Sequence, residues 1–174
     1  MRFDLTNSIQ ILERTPVVLL SLLSDLPEEL AMANEGKDTW SPYDITGHLI
    51  HGEKTDWIER LKIILSGSSD KSFSPFDRLA QFSESKNKSL NDLLSEFKIL
   101  RHDNVKFLKE LDLKEVDFHK EGIHPDFGTV TLSQLLSTWA VHDLDHLAQI
   151  SRVMAYQYKD CTGPWKKYLG ILDS

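Results

Sequence analysis

Cysteine is nearly missing: Cys161 is the only one in 174 residues. An intramolecular disulfide is therefore impossible, and so are cysteine-rich zinc sites. Any metal in this protein has to sit on nitrogen and oxygen donors. Long apolar runs are missing too. The longest strongly apolar stretch, Val17 to Leu20, falls far short of the roughly 20 residues that a bilayer-spanning helix needs. The opening residues, MRFDLTNSIQ, lack the basic region and the long apolar region of a secretory signal. The expectation is a cytoplasmic protein with no membrane partner. Concentrated positive charge is also lacking. The formal net charge is −7, and the 20 Lys and Arg residues are scattered rather than interleaved with aromatics. Binding to a phosphate backbone needs a concentrated positive face, so nucleic acid is not an expected partner.

Several motifs are absent as well. There is no phosphate-binding P-loop, no G-x-G-x-x-G and no G-x-S-x-G nucleophile elbow. The paired Glu-x-x-His of di-iron bundles is missing. No alternating run bounded by hairpin turns predicts a strand, and no repeat of 20–50 residues is visible.

What the chain does contain is helix. Hydrophobic residues make up 40% and charged residues 27%, the balance of a soluble globular protein, and the length suits one domain over residues 1–174. The spacing predicts four long helices. The first covers roughly Leu5 to Leu26 and is interrupted at Thr15-Pro16, by either a kink or a fresh start. Its run of Val17, Leu19, Leu20, Leu22, Leu23 and Leu26 predicts burial. The second starts at Ser41, with Pro42 at the first helical position and Asp44 at the third, and is expected to reach Leu65. A long crossover follows, polar at first and then carrying Phe73, Phe76, Leu79 and Phe82; these aromatics predict an ordered segment with a short helix. The third helix runs from Ser89 to about Leu111. The fourth, TLSQLLSTWAVHDLDHLAQISRVM, runs from Thr131 to Met154, with Thr131 and Gln134 as a capping box. Trp165, Tyr168 and Leu169 are expected to pin the tail. The fold class is therefore all-α, a four-helix bundle with up-down-down-up topology and a long crossover between the second and third helices.

Chemistry concentrates in the histidines. His142 and His146 are four residues apart, so both lie on one helix face with Cβ atoms about 5–6 Å apart. That spacing lets two imidazoles close on one ion at about 2.0–2.1 Å per nitrogen. His48, two turns into the second helix, can face them if the two helices are antiparallel. Three protein ligands leave coordination positions free for water or substrate, as in catalytic sites. Gly52 and Asp56 project to the same side as His48. The missing side chain of Gly52 leaves room beside a metal or permits close helix packing. Asp56 is either an acceptor that orients an imidazole or a solvated acid. Asp143 falls in the middle of the apolar stripe of the fourth helix, and Glu53 falls beside Leu49, Trp57 and Ile64. A buried carboxylate needs a partner, and Arg101 is the obvious cation. His51 projects away from His48 and is expected in solvent. His102, His119 and His124 are expected away from the site.

Two blocks together resemble the DinB (DinB/YfiT-like) family of metalloenzymes. One is WSPYDITGHLIHGEKTDWIERL, Trp40 to Leu61, where His48 matches the single histidine of the family's second helix. The other is GTVTLSQLLSTWAVHDLDHLAQISRVM, Gly128 to Met154, where His142 and His146 match the family's HxxxH. The resemblance implies a bundle with a divalent ion on three histidines. It also implies enzymes of two kinds, some transferring or isomerising groups with a low-molecular-weight thiol and others described as hydrolases. The expected function is thus a metal-dependent enzyme acting on a small molecule, with zinc or nickel activating water or such a thiol. The alternative is a non-catalytic metal-binding bundle with a ligand-binding or stress-response interaction role. A homodimer is compatible with so apolar a bundle.

Overall fold

The computed structural model describes residues 2–173. Helix α1, Leu5–Leu23, starts where the Asp4 side chain accepts the Asn7 N–H at 3.1 Å. It continues through Pro16 rather than restarting there. A short α2, Glu28–Ala31, precedes a polar loop. Next come α3, Pro42–Thr55, and α4, Trp57–Leu65. The crossover contains α5, Ala80–Glu84. Helix α6 spans Leu90–Glu110 and α7 spans Leu132–Tyr156. Three of these starts are capping boxes: Ser41 with Asp44, Ser89 with Asp92, and Thr131 with Gln134.

The expected second helix is broken in two. Asp56 sits at the junction with φ −114° and ψ −76°. Just before it, Thr55 Oγ1 bonds back to the His51 carbonyl at 2.8 Å, a pattern that bends helices. Gly52 explains what the break achieves. A Cβ there would lie 3.2 Å from Trp57 Nε1, so the bare glycine lets the indole fold back over the helix.

The chain also holds strands, against the all-α expectation. Strands β1, Glu121–His124, and β2, Gly128–Thr131, form an antiparallel hairpin. Its turn has Gly128 at φ +70°, a left-handed value that glycine adopts without strain. The crossover adds a further rung, with Phe73 N–H donating to Ile123 O and Ile123 N–H to Lys71 O, both at 2.9 Å. Gly122 allows this close approach: a Cβ there would sit 2.4 Å from the Phe73 ring and 2.9 Å from Ile64 Cγ1. The hairpin runs directly into α7, because Thr131 ends β2 and caps the helix.

Helix α1 packs against α6 and α7, and α3 packs against α6, α7 and α5. Two apolar clusters fill the bundle. One gathers Leu12, Trp57, Leu61, Val105, Leu108, Leu136 and Trp139; the other gathers Leu19, Leu23, Ile45, Leu49, Leu93, Phe97, Ile150 and Val153. Between them, each of the four long helices buries a polar residue: Thr15, Glu53, Arg101 and Asp143. Val17, Val18 and Leu22 are exposed despite the apolar run, because α1 touches only two long neighbours and its third side meets solvent. Trp165, Tyr168 and Leu169 are also exposed, so they do not pin the tail. A turn at Gly170–Leu172 lies against α7 instead.

Candidate metal centre

His48 comes from α3, and His142 and His146 from α7. The structure brings the three together. Nε2 of His142 lies 3.2 Å from Nε2 of His48 and 3.1 Å from Nε2 of His146. Burial, then the neighbouring imidazoles, lowers the His48 pKa to about 3 and that of His142 to about 2. Burial also lowers that of His146. All three rings are therefore neutral near pH 7. His146 Nδ1–H donates to Gln149 Oε1 at 2.8 Å, which leaves its Nε2 lone pair facing the other two nitrogens. Nδ1 of His48 and of His142 is buried without a partner.

This donor set fits a divalent ion. Two nitrogens bound at about 2.0–2.1 Å to one tetrahedral ion stand about 3.3 Å apart, close to the separations seen. Without a cation, a single Nε2–H can bridge one of these two contacts well, and the other is left without a linear hydrogen bond. Neutral imidazole suits zinc, nickel, copper and iron.

Aromatic rings flank the cluster. Trp40 and Phe76 lie 4.9 and 5.5 Å from the His48 ring, and Trp57 lies 5.1 Å from the His142 ring. The loop bearing Trp40 is tied to α7 by the Arg152 fork on Glu35, at 2.8 and 2.9 Å. The histidines line a cleft of about 630 Å³.

The other candidate residues fall into two groups. Arg101 joins Glu53 and Asp143 in one buried cluster: Nη2 reaches Glu53 Oε1 at 2.8 Å and Asp143 Oδ1 at 2.9 Å, and Nη1 reaches Asp143 Oδ2 at 2.5 Å. Trp139 Nε1 and Asn104 Nδ2 complete the coordination of Glu53. Burial works against the guanidinium charge, but the two carboxylates outweigh it and raise its pKa. The cluster holds α3, α6 and α7 in register; none of its members bonds to a ring nitrogen of the three histidines. Asp56 is buried in the cleft wall and paired with Arg60 Nε at 2.5 Å. Burial pushes its carboxyl pKa up against the pull of Arg60. It is neither a solvated acid nor an imidazole's acceptor.

Two histidines are not where the sequence puts them. His51 does point away from His48, but α5 covers that side. It is 5% exposed, with Nδ1 3.1 Å from Glu84 Oε1. His124 reaches the cleft because the hairpin folds back over it. Gln149 was missed altogether. Its signal was the i,i+3 spacing from His146, which puts the two side chains on one face.

The sequence profile of the DinB superfamily matches residues 11–150. No curated protein sequence matches the chain. Among solved structures, one similar fold is YfiT from Bacillus subtilis, described as "a probable metal-dependent hydrolase with an unusual four-helix bundle topology". The likeness covers 90% of this chain and 89% of that one, with a TM-score of 0.73 and 18% identity. The chain belongs to the DinB superfamily.

Proposed function

We propose that the protein is a metal-dependent enzyme acting on a small molecule, with one divalent ion, zinc or nickel, held by His48, His142 and His146. The observation that carries this is the convergence of three neutral Nε2 atoms beside a cleft with room for a substrate. A divalent ion there would supply the Lewis acidity that makes a nucleophile of water or a thiol near neutral pH. The description of YfiT supports the hydrolase branch. A transferase using a low-molecular-weight thiol is the other branch of the same chemistry.

The chain's own side chains do the positioning. Gln149 holds the His146 ring in one tautomer. Trp40, Phe76 and Trp57 keep water from the flanks of the three imidazoles. The Arg101 cluster sets the height of α3 against α7, and with it the distance between His48 and the HxxxH pair. The up-down-down-up topology belongs to the same proposal. Glu13 pairs with Lys109 and Asp25 with Asn91, which supports antiparallel α1 and α6; Tyr43 bonds the Lys88 carbonyl and Glu53 meets Arg101, which supports parallel α3 and α6.

The test is elemental analysis of protein purified without a histidine tag, beside His142→Ala. Stoichiometric metal is expected in the parent and loss in the variant; unchanged metal in His142→Ala overturns the ligand set. Turnover of an activated ester, or of a thiol with an alkyl halide, should vanish on chelation. Full metal occupancy with no turnover on either would favour the non-catalytic bundle.

A further inference from the structure

We infer that the cleft takes a flat, largely apolar small molecule bearing an anionic group, and that Arg78 selects the anion. The inference rests on the metal-centre reading only for where the reacting end lies.

The walls set the body of the ligand. Besides Trp40, Trp57 and Phe76 around the histidines, Phe73 lines the cleft, and Phe127 stands at its mouth, 76% exposed and stacked on His124 at 4.4 Å. Such rings reward a flat apolar body through area burial and ring-on-ring contact.

The charges set the substituent. Three arginines line the cleft, and two are already neutralised: Arg60 by Asp56, and Arg152 by Glu35. Arg78 is exposed and has no carboxylate within ion-pair distance among the described residues. It lies two residues from Phe76, whose ring flanks His48, so the cation and the aromatic wall come from one short segment. The other carboxylates in the lining are Asp38, on the polar loop with Lys37 Nζ at 4.0 Å, and Asp126, beside His124 at the hairpin turn. A planar guanidinium takes a carboxylate, sulfonate or phosphate by two parallel hydrogen bonds.

The experiment compares 2-naphthoate with its neutral counterpart 2-naphthamide, by calorimetry and tryptophan fluorescence, on metal-free and zinc-loaded protein. Naphthoate should bind the parent about tenfold tighter than naphthamide in both forms. Arg78→Gln should erase that preference by weakening naphthoate alone, and Arg78→Lys should keep part of it. Phe76→Ser should weaken both probes. Equal binding of the two probes to the parent overturns the inference, as does an Arg78→Gln variant that lowers both alike, or binding of neither. Zinc content is measured in the same samples. Arg78-dependent naphthoate binding by protein that takes up no zinc supports this inference while sinking the metal centre. Stoichiometric zinc with no naphthoate preference does the reverse.

Discussion

Pro16 and Arg101 are 85 residues apart in sequence, yet one depends on the other. Proline has no N–H, so Pro16 cannot donate to the carbonyl four residues back, which is that of Leu12. That carbonyl is buried, and Arg101 Nη1 reaches it from α6 at 2.9 Å. The same guanidinium also holds Asp143 with both nitrogens and Glu53 with one. Arg101→Met would strand two carboxylates whose side chains are 0% exposed. Breaking a buried ion pair costs about 3–5 kcal/mol, and orphaning a buried carbonyl about 1–3 kcal/mol more. Against a typical stability of about 5–15 kcal/mol, that variant is expected to be largely unfolded. Arg101→Lys is the informative change. A lysine keeps the charge but lacks the rigid fork, so it serves the carboxylates and abandons Leu12. Its cost should be about 2–3 kcal/mol by urea unfolding followed by circular dichroism. Pro16→Ala supplies the missing helical N–H. In that background Arg101→Lys should cost about 1 kcal/mol less, because the Leu12 carbonyl is no longer stranded. An identical cost in both backgrounds would refute the coupling. An Arg101→Lys cost below about 0.5 kcal/mol would refute the whole account of the buried Arg101 cluster.

Two more predictions concern the histidines. Gln149→Leu removes the acceptor for His146 Nδ1–H. Zinc affinity, read by chelator competition, should fall about 10- to 100-fold while folding stability stays within about 1 kcal/mol; undiminished affinity would show that Gln149 does not orient the ring. Metal-free protein should lose stability on mild acidification. His48 and His142 have pKa values of about 3 and 2 when folded, against 6.5 unfolded, and that of His146 is lowered too. Below pH 6.5 the unfolded chain therefore binds more protons than the native one. Stability is fully present above that pH and declines as pH falls toward the folded values, by about 1.4 kcal/mol per pH unit for each such histidine. Urea midpoints measured from pH 7.5 to 5 should drop accordingly, and a flat profile would contradict the buried, neutral assignment.

How far such features can be read from sequence depends on how far apart the interacting groups lie. The capping boxes at Ser41, Ser89 and Thr131 were legible because both partners of each sit within three residues. The HxxxH pair was legible for the same reason, and Asp143 and Glu53 could be marked as buried from helical periodicity alone. The sequence left Pro16 open between a kink and a restart, because the donor that lets the helix continue comes from α6. The hairpin has strands of only four residues. It is held in part by Lys71 and Phe73, some fifty residues upstream, and no period-2 run that short stands out. His51 marks where periodicity stops being informative. A 3.6-residue period gives the direction a side chain takes from its own helix, but not what lies in that direction. For His51 it was α5, with Glu84 at 3.1 Å and Phe76 packed on the ring at 4.9 Å. The same limit separates the metal centre from the cleft around it. The three histidines come from two regular helices, whereas Trp40, Phe76, Arg78, His124 and Phe127 come from loops and a hairpin. Their positions are set by contacts such as Glu35 with Arg152 and Gly122 with Phe73. The three histidines can therefore be read from one helix at a time, while the lining of the cleft comes from segments whose placement only the packed bundle determines.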